Sequence, residues 1–104
     1  IDAAGAADTA ALIGDVGGEA VAVEVDVADG ASVRAMVATT VDSFGRLDIA
    51  HNNAGIMGAG ADIVDMDDDV WQRGIDVMLT GVFLCMNVFA VCYILILPVR
   101  LPFW

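Results

Sequence analysis

LDIAHNNAG, residues 47–55, joins a short apolar run to a turn of asparagine, alanine and glycine. Gly45 precedes this run, and a glycine-rich loop follows it as far as Gly60. An acidic cluster and a long apolar pattern of helical spacing come next. The order strand, Asn/Gly turn and helix is how open α/β sheets build ligand crevices at the carboxyl ends of their strands. The stretch therefore predicts an α/β fold with a ligand site at the turn.

The region before this turn predicts a βαβ unit. Residues 20–26 are the clearest strand, because β-branched residues alternate with small ones over a suitable length. Residues 29–32 offer helix caps, and Gly45 offers a left-handed helix stop. Between them lies one apolar stripe at helical spacing, formed by Val33, Met36, Val37, Val41 and Phe44. With a second strand at 47–52, the pattern predicts parallel strands and a right-handed crossover.

Helical patterns flank the βαβ unit. Residues 3–13 are rich in alanine and are followed by glycines, which predicts a helix that ends there. Residues 53–67 are predicted as loop. A long helix then begins in an acidic cluster, where carboxylates favour the N-terminal dipole, and its apolar residues recur from Trp71 to Phe89. The predicted fold is thus a βαβ unit followed by a long helix.

Composition narrows the class of function. Fifteen acidic residues stand against four arginines and no lysine, for a formal net charge of −11. Such a surface repels phosphate backbones, so we expect no nucleic-acid partner. Cys85 and Cys92 are spaced as two buried helical positions, not as a redox or zinc pair. Without a disulfide framework or a signal peptide, we expect one small domain in the cytoplasm.

Three local patterns resemble metal-binding, phosphate-binding or catalytic sites. Residues 65–69 have the opening spacing of an EF-hand, but Val70 occupies the position where the sharp turn requires glycine, and helix capping explains the acids. Residues 55–60 lack the order Gly-x-Gly-x-x-Gly and predict a flexible loop. His51, the single histidine, is expected to end the strand as a partly buried, hydrogen-bonded side chain. No metal site and no catalytic residue is predicted.

Three segments resemble the short-chain dehydrogenase/reductase family of classical type. Residues 26–29, DVAD, resemble the end of the family's third strand. Residues 44–49 with 52–55 resemble its helix, strand and turn beside the cofactor. Residues 71–83, which end in TGVF, resemble its long fourth helix. The resemblance covers about residues 1–90, with the three segments in the family's order.

The resemblance implies a partial Rossmann-like NAD(P)-binding domain over residues 1–90, part of a doubly wound parallel sheet. The implied chemistry is hydride transfer between a nicotinamide cofactor, NAD or NADP, and an alcohol or carbonyl substrate. The implied cofactor-binding residues are Asp26, Val27, Asn53, Ala54 and Gly55. In the family the Asp side chain and the next backbone group hold the adenine ring, and the Asn-Ala-Gly backbone approaches the dinucleotide closely.

The chain also departs from the family's pattern. The family's glycine loop belongs to a βα unit that would precede Ile1. Met78 occupies the position of the catalytic Asn. Tyr93 is followed four residues later by Leu97, so the Tyr-x-x-x-Lys pair is missing, and no catalytic Ser is recognised. Residues 91–104 form an apolar tail unlike the family. We therefore expect a central fragment that is inactive alone and binds its cofactor weakly or not at all.

Two other functions fit parts of the sequence. The chain could be a non-catalytic partner whose apolar helix packs on a second copy or on a full-length relative. It could also be anchored in a membrane through residues 77–97, an apolar run of spanning length. Thr80, Gly81 and Asn87 interrupt that run and argue against a membrane. The expected partners are thus a dinucleotide and another chain of this family.

The resemblance has a consequence for stability. In the strand order 3-2-1-4-5-6, residues 20–26 would be the third strand and residues 47–52 the fourth, with two other strands between them. Either the two strands stand apart with unpaired edges, or they pair directly and close the crevice. Unpaired edges leave backbone groups to water and invite association. We expect a chain of low stability that associates through strand edges and its apolar helix.

Overall fold

A computed structural model of the chain describes the backbone of residues 3–57, 60 and 62–96, with side chains as far as Ala90. Its helices are α1 (Ala3–Asp15), α2 (Gly30–Phe44), α3 (Asp68–Ile75) and α4 (Gly81–Ile96). A 3-10 turn covers Ile63–Asp65, and a π-helical turn covers Asp76–Thr80. Most of the predicted apolar tail, residues 97–104, lies outside the described residues.

Helix α2 begins and ends where the sequence predicts. The Asp29 carboxylate accepts hydrogen bonds from the backbone N–H groups of Ala31, at 3.0 Å, and Ser32, at 3.2 Å. These two amides would otherwise lack a partner in the first turn. Gly45 ends the helix with φ +76°, and its N–H donates to the Val41 carbonyl at 2.7 Å. Both ends confirm the predicted caps.

The predicted long helix is confirmed as one continuous rod from Asp68 to Ile96. The residues at its two internal junctions, Asp76 and Gly81, both have right-handed helical dihedrals. The Gly81 N–H reaches back to the Asp76 carbonyl, five residues away, which creates the π-helical turn. The helix continues through this wider turn without a break.

The core lies beside the contact of α2 with α4, and the π-helical turn adds one buried residue to it. Its buried apolar residues among those described are Val33, Val37 and Val77, which are 0%, 4% and 5% exposed. The accessible surface of 8003 Å² exceeds the roughly 5,500 Å² of a compact protein of this mass. The radius of gyration is 16.8 Å, against about 13 Å for a compact domain. The chain is therefore more open than a compact domain of this mass.

The two predicted strands are not formed as strands in the described part of the chain. Residues 20–26 and 46–57 are irregular there, and no backbone hydrogen bond joins the two stretches. A strand is defined by its ladder, and each stretch lacks a neighbour close enough to supply one. Of the two alternatives left open by the sequence, that the stretches stand apart or that they pair directly, this geometry agrees with the first. Their parallel arrangement in a sheet stays a prediction.

Candidate functional site

The turn at residues 26–29 connects the first irregular stretch to α2. The Asp29 N–H donates to the Asp26 carbonyl at 3.0 Å, which closes the turn. The Ala28 N–H donates to Oδ1 of Asp26 at 3.0 Å, and the Asp26 N–H donates to Oγ of Ser32 at 3.0 Å. The backbone of the turn is therefore fixed to the start of α2, with the Asp26 side chain at its edge.

Arg73 of α3 reaches the same carboxylate from the far side. Its Nη2 lies 3.4 Å from Oδ2 of Asp26, and the two side chains are 48% and 38% exposed. A pair so open to water contributes at most about 1 kcal/mol to stability. The sequence did not predict this contact, because nothing local links two residues that are 47 positions apart.

Gly81 lets the long helix approach the turn closely. A Cβ at this position would lie 2.9 Å from Cγ2 of Val27 and 3.2 Å from the Val27 backbone oxygen. Only hydrogen fits there, since carbon atoms in contact lie about 3.5–4.0 Å apart. The resemblance had placed Gly81 in a matching segment, but its packing role becomes visible only in the structure.

A cavity of about 200 Å³ separates the ends of the two irregular stretches. Val27 lines one side and Asn53 and Ala54 line the other, while Val77 and Cys85 of the long helix form part of its floor. Pockets that enclose a whole small-molecule ligand typically measure about 300–1,000 Å³. This cavity has room for one part of a larger ligand. Its lining is mainly apolar, which suits a flat ring.

The five predicted cofactor residues are partly brought together. Val27, Asn53 and Ala54 share the cavity, and Asp26 and Gly55 are their immediate chain neighbours. Asn53, Ala54 and Gly55 are exposed, so a ligand could reach their backbone. No atom lies within 4 Å of where a Cβ on Gly55 would stand. Packing within the described residues therefore gives no reason for glycine at this position.

Asp26 and Val27 present an acceptor beside a donor. The Asp26 carboxylate has about four lone-pair positions, and within the described residues Ala28 and Arg73 each supply it with one donor. The Val27 N–H has no acceptor among the described residues. Such a pair matches a ring edge that carries an amino group beside an acceptor nitrogen.

His51, Cys85 and Met78 are the remaining side chains of interest around the cavity and the long helix. His51 lines the cavity but is exposed and makes no hydrogen bond to another described residue, so the predicted partly buried, bonded state is wrong. Burial raises the pKa of the Cys85 thiol above its ordinary value. Met78 lies elsewhere, in a second cavity of about 370 Å³ beside Trp71 and Met66.

Two further features of the described residues concern metals and membranes. Among residues 3–57, 60 and 62–90, no group of three or more His, Cys, Asp or Glu side chains is placed to hold a metal ion. The helical stretch Asp68–Ala90 is long and apolar enough, by length and composition, to cross a membrane, and 11% of an apolar 18-residue window within it is buried. The core helix of a water-soluble protein passes the same test, although usually with much more burial.

Comparison with known proteins gives a consistent result. The family model described as enoyl-(acyl carrier protein) reductase matches residues 1–93. Glucose 1-dehydrogenase 2 of Bacillus subtilis is 42% identical over 83 residues, which is 80% of this chain and 32% of that protein. The 3-oxoacyl-[acyl-carrier-protein] reductase of Synechocystis is 46% identical over 69 residues, which is 66% of this chain and 28% of that protein. The chain thus spans about a third of the length of these relatives.

Solved structures agree with the sequence matches. A 3-ketoacyl-ACP reductase from Sinorhizobium meliloti superposes with a TM-score of 0.84 at 36% identity, covering 88% of this chain and 36% of that one. An NAD⁺-bound xylitol dehydrogenase gives a TM-score of 0.81 at 29% identity, covering 86% and 35%. A metagenomic short-chain oxidoreductase in complex with NADP gives 0.82 at 26% identity, covering 90% and 42%. These neighbours assign the α/β class, although no strand is formed in the described residues.

Proposed function

This chain belongs to the short-chain dehydrogenase/reductase family, and from that premise we propose that it forms the adenine side of an NAD(P) site. The oxidoreductase concerned would transfer hydride between the nicotinamide cofactor and an alcohol or carbonyl substrate. Relatives bound to NAD⁺ and to NADP support the cofactor class. The substrate class follows from the family alone.

The observation that carries the proposal is the donor and acceptor pair at Asp26 and Val27. The amino edge of adenine has an N–H donor at N6 and an acceptor at N1. The Asp26 carboxylate can accept from the amino group, and the Val27 N–H can donate to the ring nitrogen. The apolar cavity beside them suits the flat ring. The residues present therefore fit the adenine end of a dinucleotide.

The proposed role of the second stretch is to line the path of the cofactor. Asn53, Ala54 and Gly55 have small or polar side chains and exposed backbones, so a ligand can lie close to them. A bound nicotinamide cofactor would supply or accept the hydride. The residues of this chain would bind and orient it and would exclude water from the apolar cavity.

We further propose that residues 1–104 alone carry no turnover. The family's proton transfer uses a tyrosine whose pKa is lowered by a nearby lysine. This chain contains no lysine, and Met78 has no amide to hold a proton-relay water. In the proposal, residues 1–90 are a partial Rossmann-like domain in which residues 20–26 and 47–52 take strand positions separated by two others. We also propose, from membership of the family, that the chain is cytoplasmic and that it associates with a related chain.

Nucleotide titration tests the adenine site. We expect AMP to shift the backbone amide resonances of Val27 and Ala28 in ¹⁵N-labelled chain. Nicotinamide mononucleotide, which has a phosphate but no adenine, should leave them unchanged. Asp26→Asn replaces one carboxylate oxygen, an acceptor, with an NH₂ group, a donor. This substitution should weaken AMP binding by about tenfold. Equal effects of both nucleotides on Val27 and Ala28 would contradict the proposal.

An activity assay tests the second part. Purified chain is expected to oxidise neither NADH nor NADPH with carbonyl substrates above a heat-treated control. Turnover by the chain would show that another group supplies the proton, and the proposal of an inactive chain would be wrong. The AMP titration would remain valid in that case, because it reports binding alone.

A further inference from the structure

We infer that Arg73 is a positioning residue that sets the Asp26 carboxylate for a purine with an amino group at position 6. This inference rests on the proposed adenine site and adds a determinant of base preference to it. Arg73 lies on α3, outside the segments expected to touch the cofactor.

The first step is the way in which the carboxylate is held. Oδ1 of Asp26 accepts the Ala28 N–H at 3.0 Å, and Oδ2 faces Nη2 of Arg73 at 3.4 Å. A carboxylate held at one oxygen can rotate about its terminal bond, because that torsion is broad. A partner at each oxygen restricts the rotation. The free lone pairs then keep a constant direction relative to the Val27 N–H.

The second step is the rigidity of the support. Arg73 belongs to the continuous rod of α3, the π-helical turn and α4. Gly81 seats this rod against Val27, and a Cβ on Gly30 would be in ordinary contact with Leu84 at 3.5 Å. The guanidinium therefore projects from an element that is packed against the turn it contacts. Such a support positions a partner more precisely than a loop does.

The third step is the availability of Arg73. The chain has a formal charge of −11, so many carboxylates compete for few arginines. Asp76, on the same helical rod, instead accepts a hydrogen bond from Nε2 of Gln72 at 2.8 Å. Among the described residues, the ion pair of Arg73 is with Asp26. The remaining described ion pair, Arg46 with Asp48, is local to its own loop.

The chemical consequence is a preference between purines. The 6-amino group of adenine donates to a carboxylate, whereas the 6-oxo group of hypoxanthine would bring an oxygen against it. A fixed Asp26 carboxylate rejects the oxo group. A carboxylate released from Arg73 can turn away and relieve the repulsion, at the cost of weaker adenine binding. Loss of Arg73 should therefore reduce the preference for AMP over IMP, which carry the same phosphate charge.

The test is a titration of the 104-residue chain with AMP and with IMP, followed through the amide resonances of Val27 and Ala28. Wild type is expected to prefer AMP. Arg73→Gln should reduce the AMP-to-IMP affinity ratio by about three- to tenfold. Arg73→Lys keeps the charge without the planar fork, so its AMP-to-IMP affinity ratio should lie between those of wild type and Arg73→Gln. Arg46→Gln is the matched control, because it removes an equal charge from an exposed pair and should leave the ratio unchanged.

Each outcome decides between the two claims. If wild type and R73Q show the same ratio, the role of Arg73 is wrong while the adenine site stands. If wild-type chain binds neither nucleotide, the proposed function fails and this inference fails with it. Far-UV circular dichroism of R73Q should match wild type. If R73Q has lost helix, R73K decides instead, and an unchanged ratio in folded R73K together with unchanged Asp26 and Ala28 resonances would overturn the inference.

Discussion

Gly81 determines how closely the long helix can approach the turn at residues 26–29. Alanine there would place a Cβ against both the side chain and the backbone oxygen of Val27. We expect Gly81→Ala to lower the free energy of unfolding by about 1–2 kcal/mol, since overpacking outweighs the gain in helix propensity. The measurement is the urea midpoint followed by circular dichroism.

Gly74 is the matched control on the same helical rod. No atom lies within 4 Å of a Cβ placed on it, so Gly74→Ala should raise the free energy of unfolding by up to about 1 kcal/mol. Equal effects of the two substitutions would show that the contact with Val27 does not limit the packing.

Cys85 reports the environment of the apolar cavity. Burial disfavours the thiolate and raises the pKa of the thiol. Because the thiolate is the nucleophile, the rate of alkylation by iodoacetamide should rise with pH around a midpoint above the ordinary value, about 8.5. The stability that comes from burying the neutral thiol is lost as the pH rises through this midpoint.

The measurement uses a Cys92→Ser background and compares native chain with the same chain in urea. The midpoint of the pH profile is the readout, because restricted access alone would slow alkylation without moving it. Identical midpoints in both conditions would show that Cys85 is not desolvated in the native state.

The residues of the proposed adenine site could be predicted only in part from the sequence, for a physical reason. Asp26 and Val27 were predicted because they stand in a short local segment that resembles the family. Arg73 was not, because its partner is distant along the chain and a surface arginine has no distinctive local pattern. Gly81 was predicted within a matching segment, but the reason for glycine there depends on the tertiary approach of Val27.

At the scale of elements, the carboxylate of Asp29 caps the first turn of α2. Asp29→Ala would leave the Ala31 and Ser32 amides without their acceptor. We expect a loss of about 1 kcal/mol in the free energy of unfolding, read from the urea midpoint. Asp42→Ala, near the exposed end of α2, should be neutral or slightly stabilising, because a negative charge is unfavourable at a helix C-terminus. A comparable loss in both variants would contradict a specific cap.

The predicted helices are confirmed, whereas the two strands stay a prediction, because helices and strands find their hydrogen-bond partners in different places. A helix closes its bonds within four or five residues, so Asp29, Gly45 and the stripe containing Val33 and Val37 are sufficient signals. A strand needs a second strand, and no periodicity within residues 20–26 reveals whether one is present. The π-helical turn was also missed, since nothing in residues 76–80 distinguishes it from regular helix.

At the scale of the whole molecule, exposed apolar surface governs behaviour in solution. The accessible surface is 8003 Å², which is roughly 2,500 Å² more than a compact protein of this mass exposes. Part of it is a stripe at helical spacing on the rod, formed by Leu79, Phe83 and Met86, each more than half exposed. We expect the sedimentation coefficient of the chain to rise with concentration in the micromolar range.

Phe83→Glu should reduce this association, because it places a charge in the centre of the stripe. Val64→Glu makes an equal charge change at an exposed apolar residue in the 3-10 turn, and it should have a smaller effect. A monomer with a sharp, reversible thermal transition independent of concentration would contradict the expectation of a marginal, associating chain.

The irregular stretch at residues 46–57 also makes the chain vulnerable to proteases. Arg34 and Arg73 lie within helices, whereas Arg46 begins a segment that makes no backbone hydrogen bond within the described structure. Among these three arginines, trypsin should therefore cut first after Arg46, where no helix must unravel, and mass spectrometry of an early time point would identify a cut between residues 46 and 47. The two pieces would then stay together through the small apolar core, the contact of Gly81 with Val27 and the exposed ion pair of Arg73 with Asp26. Limited digestion thus measures whether these contacts keep the two fragments associated after cleavage.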